Sequence, residues 1–233
     1  MAAGAAGVTL MPDWVDPVAH YMLHEGLKNT LRIAVFAVIG STVVGVILGT
    51  LMTIHFRPLQ ALLRLYVEVF RGLPILVTIF IVYYALPTTP LIGHQFDAFT
   101  GASLGLTLWG SAQVAEATRG AVQSISREQH EAAAALGFGW IGRHLFVILP
   151  QALRRLLPPL VSLLANIIQN TTIASLIGVT ELLATGQRSI ERLQFEAGAN
   201  SHAFAIYLAL MAAFFCISFP LTRLAIALER RLV

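Results

Sequence analysis

The chain has 233 residues, a single cysteine (Cys216) and only 12% charged residues. One cysteine, set in an apolar run, excludes a disulfide within the chain and leaves the redox compartment unmarked; its expected role is a small packing residue in a helix. A soluble domain carries about twice this share of charge, whereas here 57% of residues are hydrophobic and the mean hydropathy is +0.75. The balance is that of an integral membrane protein. A Walker-type phosphate loop is missing, so the chain is not itself an ATPase. No HxxH or ExxH pair falls inside an apolar stretch, and no metal site is expected. His20, His24, His55, His94, His130, His144 and His202 are read as lying in or beside loops, which leaves an intramembrane hydrolase without a base at the depth of a nucleophile. Aromatics do not interleave with basic residues, so no nucleic-acid surface is expected. The amino terminus MAAGAAGVTL lacks a basic n-region, and Asp13 and Asp16 precede the first long apolar stretch; a cleaved signal peptide is not expected.

What is present is apolar sequence in blocks. Five uncharged windows run from Ile33 to Ile54, Gly72 to Leu86, Ala98 to Ala115, Leu156 to Thr180 and Ala203 to Thr222. Backbone groups in lipid must pair within their own segment, and the alternation of a barrel is missing, so the windows are read as helices. The expected fold is an all-α transmembrane bundle of five spans in a single domain, near 27–54, 65–86, 98–122, 156–180 and 203–226. Residues 1–26 form an external segment in this reading and 125–155 a cytoplasmic loop. Gly40, Ser41, Gly45 and Gly49 recur at helical spacing and predict close approach of a neighbouring helix.

Arginine placement predicts orientation. Arg57 and Arg64, then Arg127, Arg143, Arg154 and Arg155, then Arg230 and Arg231 fall on one side. The 87–97 loop has no Lys or Arg, and Arg188 and Arg192 in the 181–196 loop are balanced by acids. The positive-inside rule puts the amino terminus outside and the carboxyl terminus in the cytoplasm.

The cytoplasmic loop is itself helix-prone. Ser126, Glu128 and the run Ala132 to Ala135 predict a helix with an acidic first turn, which Gly137 and Gly139 end or bend. Trp140 to Leu149 predicts a second, amphipathic piece with Ile141, Leu145 and Ile148 on one face, stopped by Pro150.

In order, Glu131, Ala132, Ala133, Gly137, then Val147, Ile148, Leu149 and Pro150 resemble the EAA loop of binding-protein-dependent ABC importer permeases: EAA, three residues, Gly, nine residues, I-x-L-P. Val147 stands where isoleucine is usual. Arg71 to Pro74, Tyr83 to Pro87, Glu116 with Arg119 and Gly120, Gln123 to Ile125, Pro150 to Arg155 and Leu157 to Pro159 are similar to the polar amino acid (histidine/glutamine-type) branch. The resemblance covers roughly residues 26 to 228. It implies a type I importer bundle in a bacterial inner membrane. Glu131, Ala132, Ala133, Gly137 and Pro150 would couple it to a dimer of cytoplasmic ATPases that hold ATP and Mg, this chain binding no cofactor. It further implies a second permease subunit, identical or homologous, and an extracytoplasmic solute-binding protein. Glu131 would pair with a basic residue of the ATPase or cap the helix dipole.

Two further groups are candidate sites. Glu68 with Arg71, and Glu116 with Arg119, have i, i+3 spacing toward the cytoplasmic ends of spans two and three, as a gate or a scaffold under the loop. Pro74 is expected to kink span two. Ser162, Asn166, Gln169, Thr172 and Ser175 form a polar stripe in span four, either for substrate or as glue between permease subunits. Where many relatives resemble Leu-Lys-Asp-Thr-Ser, residues 168–172 read IleGlnAsnThrThr, and Trp109 and Gln113 replace commoner Asn and Tyr. An uncharged polar amino acid or an opine-like derivative is compatible. The competing class is a stand-alone secondary transporter or channel, although an odd number of spans does not suggest inverted repeats.

Overall fold

The computed structural model describes residues 12–54, 56–90, 93–197 and 202–232. Residues 1–11 of the expected external segment, and His55, lie outside them. Among the described residues all regular structure is helical. We number the helices α1 (Val15–Leu51), α2 (Arg57–Gly72), α3 (Ile75–Thr88), α4 (Ala98–Gln123), α5 (Arg127–Ala135), α6 (Trp140–Ile177), α7 (Leu182–Ala197) and α8 (Ala203–Leu232).

Three of these, α1, α6 and α8, are long and apolar enough to cross a membrane, and α2 with α3 passes the same test as a bent pair. Helix α4 is less apolar because its neighbours are helices: Ala102, Leu106, Ser111, Ala112 and Ala115 are all buried. Surface that meets protein has no need of lipid-compatible side chains. The small residues expected to admit a neighbour do so here. A Cβ added to Gly40 would come within 2.8 Å of the Thr107 methyl, and one on Gly45 within 2.8 Å of the Ser111 carbonyl, while buried Ser41 donates to the Thr107 carbonyl at 3.3 Å. On the far side of α1, Val35, Phe36, Ile39, Val43 and Ile47 are exposed, the pattern of a helix meant for lipid or a partner.

The chain differs from the sequence expectation in four places. A single span kinked at Pro74 is replaced by a 109° turn between α2 and α3. Leu73 is extended (φ −75°, ψ 140°), as steric pressure from the following proline favours, and α2 ends there. Second, α6 does not stop at Pro150. It runs from Trp140 to Ile177 through a π turn at His144–Ile148. That wide turn leaves a carbonyl without its usual i+4 donor, so a proline lacking an N–H is cheap just beyond it. Third, the 181–196 loop is helix α7. Fully buried Glu181 caps it by accepting from the Leu183 and Ala184 amides at 2.9 and 2.8 Å, and burial pushes this carboxyl up against their pull. Fourth, His20 and His24 lie inside α1, stacked at 4.2 Å, and His144 is buried within α6. Cys216 is exposed on α8.

The bundle has two polar ends. At one, Asn29 donates to the Thr180 carbonyl at 2.8 Å and the Leu182 amide to Thr30 at 3.0 Å. At the other, Thr53 meets His144 at 3.3 Å and Arg155 donates to the Ser124 carbonyl at 2.6 Å. The second end collects the close of α1, the start of α2, the close of α4, all of α5 and the start of α6.

Candidate functional site

Three features gather at and above that second end. The first is the α5–α6 segment. Helix α5 finishes in a Schellman motif: Phe138 N–H bonds to Ala133 O at 3.1 Å and Gly137 N–H to Ala134 O at 2.9 Å, with Gly137 at φ +85°. Nothing lies within 4 Å of a Cβ built on Gly137, so its backbone angle, and not crowding, asks for glycine. Ala133 is buried, whereas Ala132 is exposed. Glu131 sits one turn into α5 and pairs with Arg127 at 2.6 Å, both largely exposed, while Glu128 occupies the first turn. Leu136 (78% exposed), Ile141 (72%) and Phe146 (67%) leave an apolar surface on a polar end of the molecule. The expected face of Ile141, Leu145 and Ile148 is not realised. The π turn advances the register, so Ile148 is buried with Val122, Ile125 and Ala152 while the other two stay exposed. Pro150 follows that turn inside the continuing helix.

Second, Glu68, Arg71, Glu116 and Arg119 converge around one cavity of 300 Å³. Arg119 chelates Glu116 through Nε (3.0 Å) and Nη2 (2.5 Å) and donates to Gln123 at 2.7 Å. Glu68 and Arg71 make no ion pair with each other; Arg71 Nε donates instead to Gln113 Oε1 of α4 at 3.3 Å.

Third, a neighbouring cavity of 430 Å³ is lined by Arg71, Trp109, Gln113, Glu116, Ser162 and Asn166 among others. It joins the charged cluster to two members of the α6 stripe. Gln169, Thr172 and Ser175 do not line it. The end of α6 tightens to a 3-10 helix over Thr171–Ile177, which aligns residues three apart and lets Thr172 and Ser175 bond back to the carbonyls of Gln169 (2.9 Å) and Thr172 (2.7 Å). The sequence reading singled out Trp109 and Gln113 as unusual but did not join them to the stripe. The signal was there: 109, 113 and 116 share one face of a helix.

Comparison with known proteins places the chain as a whole. The family described as "Binding-protein-dependent transport system inner membrane component" matches residues 41–233. The chain is 36% identical over 211 residues to the glutamine transport system permease protein GlnP of Escherichia coli strain K12, covering 91% of this chain and 93% of the relative. It is 32% identical over 217 residues to the probable glutamine ABC transporter permease protein GlnM of Bacillus subtilis, covering 93% and 95%. Among solved structures, a chain from an amino acid ABC transporter crystallised with histidines superposes with TM-score 0.76 at 27% identity, over 95% of this chain and 99% of that one. The chain belongs to the binding-protein-dependent transport system inner membrane components, and is the non-catalytic permease of an ABC importer in the inner membrane.

Proposed function

We propose that the permease carries a polar, uncharged amino acid or close derivative into the cytoplasm. The observation that supports this cargo is the 430 Å³ cavity, which Gln113, Asn166 and Ser162 line together with Arg71 and Glu116. A zwitterion needs one cation for its carboxylate, one anion for its ammonium and neutral hydrogen-bonding groups between them. The glutamine transport named for GlnP and GlnM is in keeping with that chemistry.

The machine around the chain follows the same reading. Five spans are made by α1, the α2–α3 pair, α4, α6 from about Leu156 onward and α8, the 26 residues of α4 reaching about 39 Å, while the start of α6 stays with the cytoplasmic segment. The amino terminus faces outside. A solute-binding protein delivers cargo there, and an ATPase dimer, with ATP and Mg, docks on the α5–α6 segment through Glu131, Ala132, Ala133 and Gly137. A second permease subunit completes the pathway, and Glu68, Arg71, Glu116 and Arg119 gate its cytoplasmic side. Gln169, Thr172 and Ser175 lie further along the same path. The test is uptake into vesicles holding the permease and its ATPase. Accumulation of glutamine or a related polar amino acid should require both ATP and the binding protein; uptake by this chain alone sinks the reading.

A further inference from the structure

A separate cavity of 260 Å³ lies where the α1–α2 corner, the end of α4 and the α5–α6 segment meet. Its polar lining is unusual in sign. Gln60 and Arg64 come from α2, Gln123 from α4, His130 from α5, and Arg143 and His144 from α6, and no carboxylate is among the described residues that line it. On its other side Arg64 borders the 300 Å³ cavity that holds Glu68 and Glu116, and Glu116, which feels Arg64, is itself chelated by Arg119.

Donors outnumber acceptors here. Arg143 Nε is buried without a hydrogen-bond partner, the kind of guanidinium nitrogen that proteins rarely leave unmet. Gln123 has its oxygen occupied by Arg119 at 2.7 Å, so its amide N–H groups are what it can still offer. His144 Nδ1 lies 2.9 Å from the Trp140 carbonyl and must donate to it. Nε2 faces Thr53 at 3.3 Å, but that hydroxyl lies 2.7 Å from the Thr50 carbonyl and has one proton to give. Only a protonated His144 would satisfy all three contacts together. The surroundings resist this: burial, with Arg143 and His130, holds His144 below its ordinary range against the pull of the Trp140 carbonyl, and burial with Arg143 does the same to His130. Two guanidiniums and two imidazoles line one void with no carboxylate among its described lining residues, and Arg143 has no acid beside it there. The volume holds a small polyatomic anion and a few waters, at about 30 Å³ per water.

We propose that this cavity binds a small oxyanion, phosphate or a free carboxylate, held between Arg64 and Arg143, which ties α2 of the membrane bundle to the base of the α5–α6 segment. The ion would stiffen the segment at its root, where the α1–α2 corner meets α6 through the long Thr53–His144 contact. Binding does not rest on the cargo assignment, and vesicle uptake tests that separately.

The experiment uses the full chain in a sugar-headed detergent free of phosphate, titrated with inorganic phosphate in one arm and acetate in the other. Heat of binding is recorded together with the fluorescence of Trp140, which lines the cavity. Saturable binding is expected, tighter at pH 6 than at pH 8, and the arm that saturates at lower concentration identifies the natural class. Arg143→Gln and Arg64→Gln, on opposite walls, should each weaken it by roughly tenfold or more. Arg143→Lys should keep part of the affinity, and exposed Arg154→Gln should leave it unchanged. A folded, monodisperse elution profile guards each variant. No saturable response to either anion, or equal affinity in the wild type and both glutamine variants, overturns the proposal.

Discussion

In the α5–α6 segment every shaping residue comes from one run, 125–155, and the shape is set by backbone chemistry: a Schellman turn at Gly137 and a π turn at His144–Ile148. Around the 430 Å³ cavity the side chains arrive from α2, α4 and α6, and are held by helices that approach closely where Gly40, Gly45 and Gly49 omit a side chain. The segment exposes apolar residues at a polar end, while the cavity gathers polar residues from three helices of an apolar bundle, Arg71, Ser162 and Asn166 among them still exposed. A lever has to be rigid in itself and sticky toward a partner. A pathway needs polar groups brought together at one depth, and only long-range packing gathers them.

If that contrast holds, mutations should divide cleanly. The largest effect is expected from Gly45→Leu, which drives a side chain into Val114 and the Ser111 carbonyl. It should cost about 3 kcal/mol and remove the folded bundle, seen as lost thermal stability and aggregation on gel filtration. Next, Gly137→Val puts a β-branched residue at φ +85°, a local strain of about 1–3 kcal/mol. It should leave insertion and cargo binding intact but cut ATP-driven uptake by about tenfold, whereas Gly137→Asn, which tolerates that backbone, should keep most of it. Unchanged uptake in the valine variant would dissolve the distinction between lever and pathway. Asn166→Ala should do the reverse, raising the half-saturating cargo concentration about tenfold with ATPase activity still responsive to the binding protein. The smallest effect is on pH. Burial lowers the affinity of His144 for protons in the folded chain, so the unfolded segment binds protons first as pH falls. Its stabilising contribution is complete above about pH 6.5 and is lost as pH drops toward the depressed folded value. Hydrogen-exchange protection over residues 140–148, measured against the intrinsic rate at each pH, should therefore fall between pH 7.5 and 5.5 in anion-free buffer.

The same contrast explains what could be read from the chain alone. Gly137 and its alanine-rich helix were legible because a C-terminal glycine turn is written in adjacent residues. The close contact along Gly40, Gly45 and Gly49 was legible as a pattern, though not its partner α4. Ile148 was assigned to the wrong face because a 3.6-residue period was carried through a π turn. Helix α7 was missed because it has little apolar sequence. Its signal is buried Leu182, Thr185 and Ser189, turned toward α1, where a Cβ on Gly26 would come within 2.9 Å of Leu182 Cα. Arg71 was paired with Glu68 by spacing, but tertiary structure offered Gln113 instead. Proline chemistry announced a break at Leu73 and Pro74 without giving its size, since the 109° turn depends on what α3 packs against.

The central claim is that a non-catalytic pathway in this chain is driven through its α5–α6 segment. It is tested most directly by glutamine uptake into vesicles containing the permease with its ATPase, with and without ATP and the solute-binding protein, for the wild type and Gly137→Val. The account predicts accumulation that needs both additions and falls about tenfold in the variant, with ATP hydrolysis no longer stimulated by the loaded binding protein. Accumulation without the ATPase, or a variant that transports as well as the wild type, would contradict it.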